Sequence, residues 1–255
     1  MALLKTDNLS KSFSGLKAVA NLNMEIKKGE LVGLIGPNGA GKTTVFNLLT
    51  GVYTPSEGLI IFNDKKINGL SPYKVSYRGL ARTFQNIRLF SDLSVLDNVK
   101  IAFHQHVKYS ALTGILRLPG YYKGEEEITK KSLELLKIFE LDDKVEELAK
   151  NLPYGQQRRL EIARALATKP TLLLLDEPAA GMNPQETQSL MELIRWILKK
   201  FDLTILLIEH DMALVMGVCE RIYVLDYGMV IAQGTPGEIK SNPKVIEAYL
   251  GEETN

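Results

Sequence analysis

Apolar positions along the chain fall into two kinds of run. In the first part, residues 3–9, 22–26, 31–35 and 59–62 form short apolar runs of strand length, punctuated by Lys28-Gly29 and by the turn residues of 55–58. The run 31–35 is apolar without alternation, as in a strand buried on both faces of a parallel sheet, and a helix over 41–50 is predicted directly after it. From about residue 86 to 164 the pattern changes. Ser94 can cap a helix running to about Gln105, with Asp97 in its first turn. Pro119-Gly120-Tyr121-Tyr122 reads as a loop, and over 125–139 the residues Ile128, Leu133, Leu135, Leu136 and Ile138 line one side of an amphipathic helix. No strand is predicted in this stretch, so it reads as a helical lobe inserted into an α/β domain.

The last part returns to α/β order. Residues 172–175 and 203–208 predict buried strands, and Pro184 opens a helix to about Lys200. A helix is expected over 212–218. Strands at 222–225 and 229–232 flank Asp226-Tyr227-Gly228, a hairpin signal, and a short helix is expected over 243–250.

Composition narrows the class. The 255 residues are 45% hydrophobic and 24% charged, which supports a full core and excludes general disorder. The net charge of +1, from 31 basic and 30 acidic residues, gives no global field toward nucleic acid or anionic lipid. The single cysteine, Cys219, leaves no disulfide within the chain and fits a reducing compartment. The opening MALLKTDNLSKSF lacks the pattern of a signal peptide, and no run approaches the ~20 apolar residues of a membrane helix. The expectation is a protein held at a membrane, if at all, by another chain.

Two motifs carry chemistry. Gly36-Pro37-Asn38-Gly39-Ala40-Gly41-Lys42-Thr43 fits Gly-x-x-x-x-Gly-Lys-Thr, between a buried strand and a helix. Its glycines let backbone N–H groups curl around a phosphate chain at a helix N-terminus. Lys42 is expected at the β- and γ-phosphates, the Thr43 hydroxyl at Mg2+, and Thr44 alongside. The strand 172–175 ends in Asp176-Glu177. Asp176 is expected to hold the Mg2+ shell, and Glu177, turned the other way, to act as general base toward the attacking water.

The phosphate loop, Gln85, Tyr154-Gly155-Gln156-Gln157 before a helix, Asp176-Glu177-Pro178, and His210 after an apolar strand stand in the order of ABC transporter ATPases, and the chain resembles that family over essentially its whole length. The resemblance implies a P-loop NTPase (RecA-like) α/β core with an N-terminal antiparallel β subdomain, formed by 1–85 and 165–255, and an all-α lobe at 86–164 carrying the signature helix. It implies that Phe13 stacks on adenine and that Gln85 senses the γ-phosphate and Mg2+. It makes His210 a switch contacting the γ-phosphate, and Ala180-Gly181-Met182-Asn183 a loop touching a partner cassette. Each ATP would lie between one chain's loop and the signature residues Tyr154, Gly155 and Gln156 of a second ATPase subunit, identical or different. Two departures matter. Pro153 replaces the serine of Leu-Ser-Gly-Gly-Gln, and Asn183 stands where the family usually has Asp.

The segment 151–164, with Ala81-Arg82-Thr83-Phe84-Gln85-Asn86 and Ala179-Ala180-Gly181-Met182-Asn183-Pro184, is similar to the larger ATPase of branched-chain amino acid importers. That group implies two transmembrane permease subunits, an extracytoplasmic solute-binding protein, and a peripheral place on the cytoplasmic face of the membrane, with no nucleic acid. The other readings are an ABC ATPase serving another small solute, or a regulatory nucleotide-binding subunit active only with a different partner. A nucleoside kinase lacks the signature helix and switch histidine, and a chromosome-maintenance ATPase carries a long coiled coil that this chain lacks.

Overall fold

The computed structural model describes residues 1–107, 114 and 119–250. The chain divides into two compact units, Met1–Gln85 with Thr171–Asn255, and Asn86–Pro170.

The first unit contains two sheets. In one, β1 (Ala2–Phe13) pairs antiparallel with β2 (Leu16–Lys27) and with β4 (Glu57–Phe62), which in turn pairs with β5 (Lys65–Lys66). Both long strands exceed the apolar runs 3–9 and 22–26. Their polar ends remain paired, Lys11 opposite Val19 and Phe13 opposite Leu16, and a two-residue link closes the hairpin. The second sheet joins β3 (Leu31–Ile35), β6 (Leu80–Arg82), β7 (Leu172–Asp176), β8 (Thr204–Ile208), β9 (Arg221–Asp226) and β10 (Met229–Gly234) in the order β10-β9-β3-β8-β7-β6. Every neighbouring pair from β9 to β6 is parallel, and β10 returns antiparallel to β9. Every residue of β3, β7 and β8 is buried, as their unbroken apolar runs require. The β9–β10 turn has positive φ at both Tyr227 (43°) and Gly228 (79°), which suits the twist of a tight hairpin.

A continuous core including Leu4, Leu22, Ile26, Val32, Leu34, Phe46, Ile60, Phe62 and Tyr223 lies between the two sheets. The Tyr223 hydroxyl accepts from Glu25 N at 3.1 Å and lies 3.1 Å from Glu25 O, fastening β9 to β2. The helices, in chain order, are α1 (Lys42–Leu49), α2 (Pro72–Tyr77), α3 (Val95–Phe103), α4 (Pro119–Ile138), α5 (Tyr154–Ala167), α6 (Pro184–Lys200), α7 (Met212–Val218), α8 (Pro236–Lys240) and α9 (Pro243–Leu250). The pattern of the sequence did not reveal α2, α8 or the short β6, each too brief to show a period.

The second unit is helical among the described residues, apart from one isolated bridge between Ser94 and Leu148. Ser94 caps α3 by accepting Asp97 N, as the sequence predicts. The buried Asn98 then accepts Phe90 N and donates to Phe90 O and Ser94 O, pinning the segment that enters α3. Residues 119–122 correct the sequence reading: they are helix, not loop. Pro119 is the first described residue of α4. Helix α5 continues to Ala167, beyond the boundary at 164 that the pattern suggested, because Ala165, Leu166 and Ala167 go on burying.

Inside α5 the Arg158 guanidinium meets Glu161 at 2.8 Å with 0% and 2% side-chain exposure, and the other Glu161 oxygen accepts Arg88 N at 3.2 Å. Removing one partner of such a pair leaves the other charge buried alone. Arg158→Met is therefore expected to destabilise the protein by about 3 kcal/mol, read as the change in urea unfolding. The double variant with Glu161→Leu should recover most of that loss.

Candidate functional site

Because β3, β6, β7 and β8 run parallel, their C-terminal ends lie along one edge of the sheet. Each end leads into residues singled out from the sequence, and in open α/β sheets that edge is where ligands bind.

From β3 the chain enters the loop Gly36 to Gly41. At Gly36, with φ 150°, a Cβ would sit 2.0 Å from the Leu225 carbonyl oxygen; at Gly41, with φ 101°, 2.5 Å from Ala18 O. Neither position accepts a side chain. Pro37 and Ala40 are buried, while Asn38 and Gly39 are exposed on the outside of the loop. Helix α1 starts from Gly41 in the left-handed region with no side-chain cap, so its first N–H groups are left for an anion. The Lys42 ammonium donates to Gly36 O at 2.6 Å and Pro37 O at 2.9 Å, which folds it back over the loop. Thr43 is exposed and Thr44 half-buried in the first turn of α1.

Strand β7 ends at Asp176, and Glu177 follows with φ 46°, a left-handed conformation rare for a residue with a side chain. Glu177 N donates to Ile208 O at 2.9 Å, so the strained turn is fastened to β8. The Glu177 carboxylate accepts Gln85 Nε2 at 2.7 Å, and His210 Nδ1 lies 3.7 Å from the same oxygen, beyond a direct hydrogen bond. Glu177 is 18% exposed and His210 64% exposed, a shielded carboxylate beside an open imidazole. Phe13 stands half open at the end of β1, with Tyr53 edge-on at 5.1 Å and the Lys11 ammonium 5.0 Å from its ring centroid. The fold thus brings Lys42, Gln85, Asp176, Glu177 and His210 to one sheet edge.

Tyr154, Gly155 and Gln156 belong to the other unit, where they form the first turn of α5. Pro153 is the N-cap residue of that helix and supplies no side-chain hydrogen bond. Asn183 caps α6 in a reciprocal capping box with Glu186, a local role that asparagine fills as well as aspartate.

Residues that carried no role in the sequence reading also enter the site. Arg82, at the end of β6, pairs with Asp176 at 2.6 Å. Glu209 is fully buried at the end of β8; it accepts Ala179 N at 2.8 Å and His210 N at 3.2 Å, and so clasps the turn after β7 to the histidine loop. An acid next to His210 at the end of an apolar strand was the available signal. Burial pushes the Glu209 carboxyl up, against the opposing pull of the amides it accepts, Ala179 first, and of His210. Cys219 is buried too, and burial raises its thiol to about 12, which makes it inert.

The donor set fits a magnesium nucleotide. A lysine, a glycine turn and an open helix end suit polyphosphate. Among the described residues no group of three His, Cys, Asp or Glu is placed to hold a metal. One carboxylate with threonine and amide oxygens is instead the hard, incomplete set that holds Mg2+ together with phosphate oxygens.

The ABC transporter family model matches residues 19–180, and a model for the branched-chain amino acid ATP-binding cassette transporter matches 229–254. The chain is 48% identical over 250 residues to the high-affinity branched-chain amino acid transport ATP-binding protein LivG of Escherichia coli K12, covering 98% of each chain. Among solved structures, the ADP conformation of MJ1267, an ATP-binding cassette of an ABC transporter, aligns with a TM-score of 0.85 at 31% identity over 98% of this chain and 99% of that one. The dimeric post-hydrolysis structure of the cassette MJ0796 bound to ADP and Pi aligns at 0.78 and 28% identity, over 91% and 98%.

The raised Glu209 carboxyl fixes the sign of a pH effect. Its stabilising contribution is complete below the ordinary value of 4.5 and is lost as pH rises through the raised value. Glu209→Gln keeps an oxygen for Ala179 N and cannot ionise. The stability of the variant minus that of wild type should therefore climb as pH rises above 4.5 in thermal melts. A flat or falling difference would contradict the buried-acid assignment.

Proposed function

The chain belongs to the ABC transporter ATP-binding cassettes and is therefore an ATPase coupled to transport, and on that premise we propose that it powers a branched-chain amino acid importer from the cytoplasmic face of the membrane. The observation that carries the catalytic part is the Glu177 carboxylate, turned off the end of β7 by a left-handed backbone and held by Gln85 at 2.7 Å. That placement suits a general base toward water at a γ-phosphate.

In this reading Phe13 stacks on the adenine, Lys42 and the loop Gly36, Pro37, Asn38, Gly39, Ala40 and Gly41 hold the phosphates, the loop through its backbone N–H groups except at Pro37, which has none and only shapes the turn, and Thr44 lines the same cradle. Bound Mg2+, held by Thr43, Gln85 and Asp176, would neutralise charge on the phosphate oxygens. Glu177 takes the proton of the attacking water, and His210 reaches the γ-phosphate from its exposed position. Gln85, bonded to Glu177 and lying where the first unit ends, passes the state of the site toward the helical unit. A second ATPase subunit presents its own Tyr154, Gly155 and Gln156 or their counterparts to the phosphates. The energy of switching then comes from tighter ATP binding in the closed pair than in the open one.

Among the described residues no helix is long and apolar enough to cross a membrane, so two permease subunits would supply the path and anchor the cassette. The extracytoplasmic solute-binding protein is an indirect partner, and nucleic acid has no place in the scheme. The 48% identity to LivG over nearly the full length of both chains supports the solute class. A regulatory subunit with a weakened site is the second reading, and the side-chain-free cap at Pro153 favours it. ATPase activity of the isolated chain, compared with that of the chain plus a sister ATPase, separates the two.

Glu177→Gln is expected to bind a fluorescent ATP analogue as wild type does while phosphate release falls by about 100-fold or more. Release at the wild-type rate would remove Glu177 as the base. With ATP and low salt, the same variant should pass from monomer to dimer by light scattering. A protein that binds ATP and stays monomeric would assign the closing surface to a different ATPase chain.

A further inference from the structure

Asp176 does not stand alone at the end of β7. Arg82 Nη2 donates to its Oδ2 at 2.6 Å, and the two side chains are only 7% and 4% exposed. The other guanidinium nitrogen, Nη1, donates to Asn47 Oδ1 at 2.7 Å, on the helix whose first turn carries Lys42, Thr43 and Thr44. The guanidinium carbon lies 5.3 Å from the centroid of the Phe46 ring and 5.0 Å from that of Phe84. One cation on β6 is thereby locked between two aromatic rings, bonded to α1 on one prong and to the end of β7 on the other. A guanidinium keeps its charge at every working pH, and its rigid fork suits such a two-way bridge where a lysine ammonium does not.

We propose that Arg82 is the resident counter-ion of Asp176: a positioning residue that holds this carboxylate in register with α1 and moderates how strongly the nucleotide site draws Mg2+. The inference rests on the reading of Asp176 as part of the Mg2+ shell. Two consequences follow from the charges. The first is that Asp176 is neutralised before any cation arrives, so a buried carboxylate is tolerated at the strand end. The second is that a divalent cation approaching Asp176 meets a carboxylate whose field is already partly cancelled by a fixed positive charge, and binds less tightly than it would to the acid alone. The bridge engages one oxygen of the pair, Oδ2, and is therefore compatible with a shared carboxylate rather than one that must be surrendered.

The test uses the full chain, a fluorescent ADP analogue and a Mg2+ titration, with thermal melts in parallel. In Arg82→Met the Mg2+ concentration that half-saturates nucleotide binding should fall by about tenfold, since a close fixed charge is lost at a shielded site. The metal-free melting temperature should also fall, and Mg2+ with ADP should raise it by more than in wild type. Arg82→Lys, which keeps the charge, should hold the half-saturating Mg2+ within about twofold of wild type. Should Arg82→Met fail to fold, Arg82→Gln replaces it, keeping a donor toward Asp176 without charge, with the same fall expected. A half-saturation unchanged or raised in the folded, uncharged variant overturns the proposal. Asp176→Asn tests the underlying reading separately. If it leaves the Mg2+ dependence of nucleotide binding intact, Asp176 is not in the shell. If it abolishes that dependence while the uncharged Arg82 variant matches wild type, the inference about Arg82 alone falls.

Discussion

At Gly36 a side chain would drive a Cβ to 2.0 Å from the Leu225 carbonyl oxygen, and at Gly41 to 2.5 Å from Ala18 O. The turn from β3 into α1 exists because both positions are bare. The bend of Lys42 over Gly36 O and Pro37 O, the uncapped start of α1, and the placement of Thr43 and Thr44 all hang on this turn. The turn is rigid because β3 sits in the middle of the parallel sheet, hydrogen-bonded to β8 on one side and β9 on the other, with every residue buried. A loop on an edge strand would have no such support.

The same sheet gathers charge at one edge and balances it locally. Asp176 is met by Arg82, Glu177 by the Gln85 amide, and Glu209 by backbone N–H groups of Ala179 and His210. Each acid is held by a different kind of donor. That difference suits different tasks: a guanidinium neutralises, an amide orients without neutralising, and backbone N–H groups fasten two loops together. The left-handed Glu177 is the point where this arrangement carries backbone strain, and the hydrogen bond from its N–H to Ile208 O shows what holds it there.

The helical unit is stabilised by its own means. Its buried Arg158–Glu161 pair, the Ser94 cap and the Asn98 cluster are all internal to Asn86–Pro170. The pair lies in α5 itself, the helix whose first turn carries Tyr154, Gly155 and Gln156, so the buried charges brace the element that would face a second cassette. Pro153 begins that helix with a fixed backbone in place of a serine hydroxyl, which keeps the open N–H groups and removes one hydrogen bond.

Whatever was local was legible in the sequence. The unbroken apolar runs of β3, β7 and β8, the glycine spacing after β3, the Ser94 cap and the hairpin at Tyr227-Gly228 each depend on a few neighbouring residues, and period and turn chemistry report such neighbours directly. Lys42, Asp176, Glu177 and His210 were legible for the same reason, each lying just past a recognisable strand. The helix at 119–122 was not, because its Pro and Gly mimic a turn and its exposed residues show no apolar period. Nor was the full length of β1 and β2, whose polar ends are strand only because a partner strand is there. Arg82 and Glu209 lie furthest from sequence reasoning. Arg82 reaches an acid 94 positions away and Glu209 an amide 30 positions away, and both contacts exist only because β6, β7 and β8 lie side by side. The sequence by itself determined where the long buried strands, the amphipathic helices and the marked turns lie; the polar ends of β1 and β2, the order of the strands and with it the partner of each buried charge were decided by the tertiary structure, because they follow from long-range pairing that local patterns do not encode.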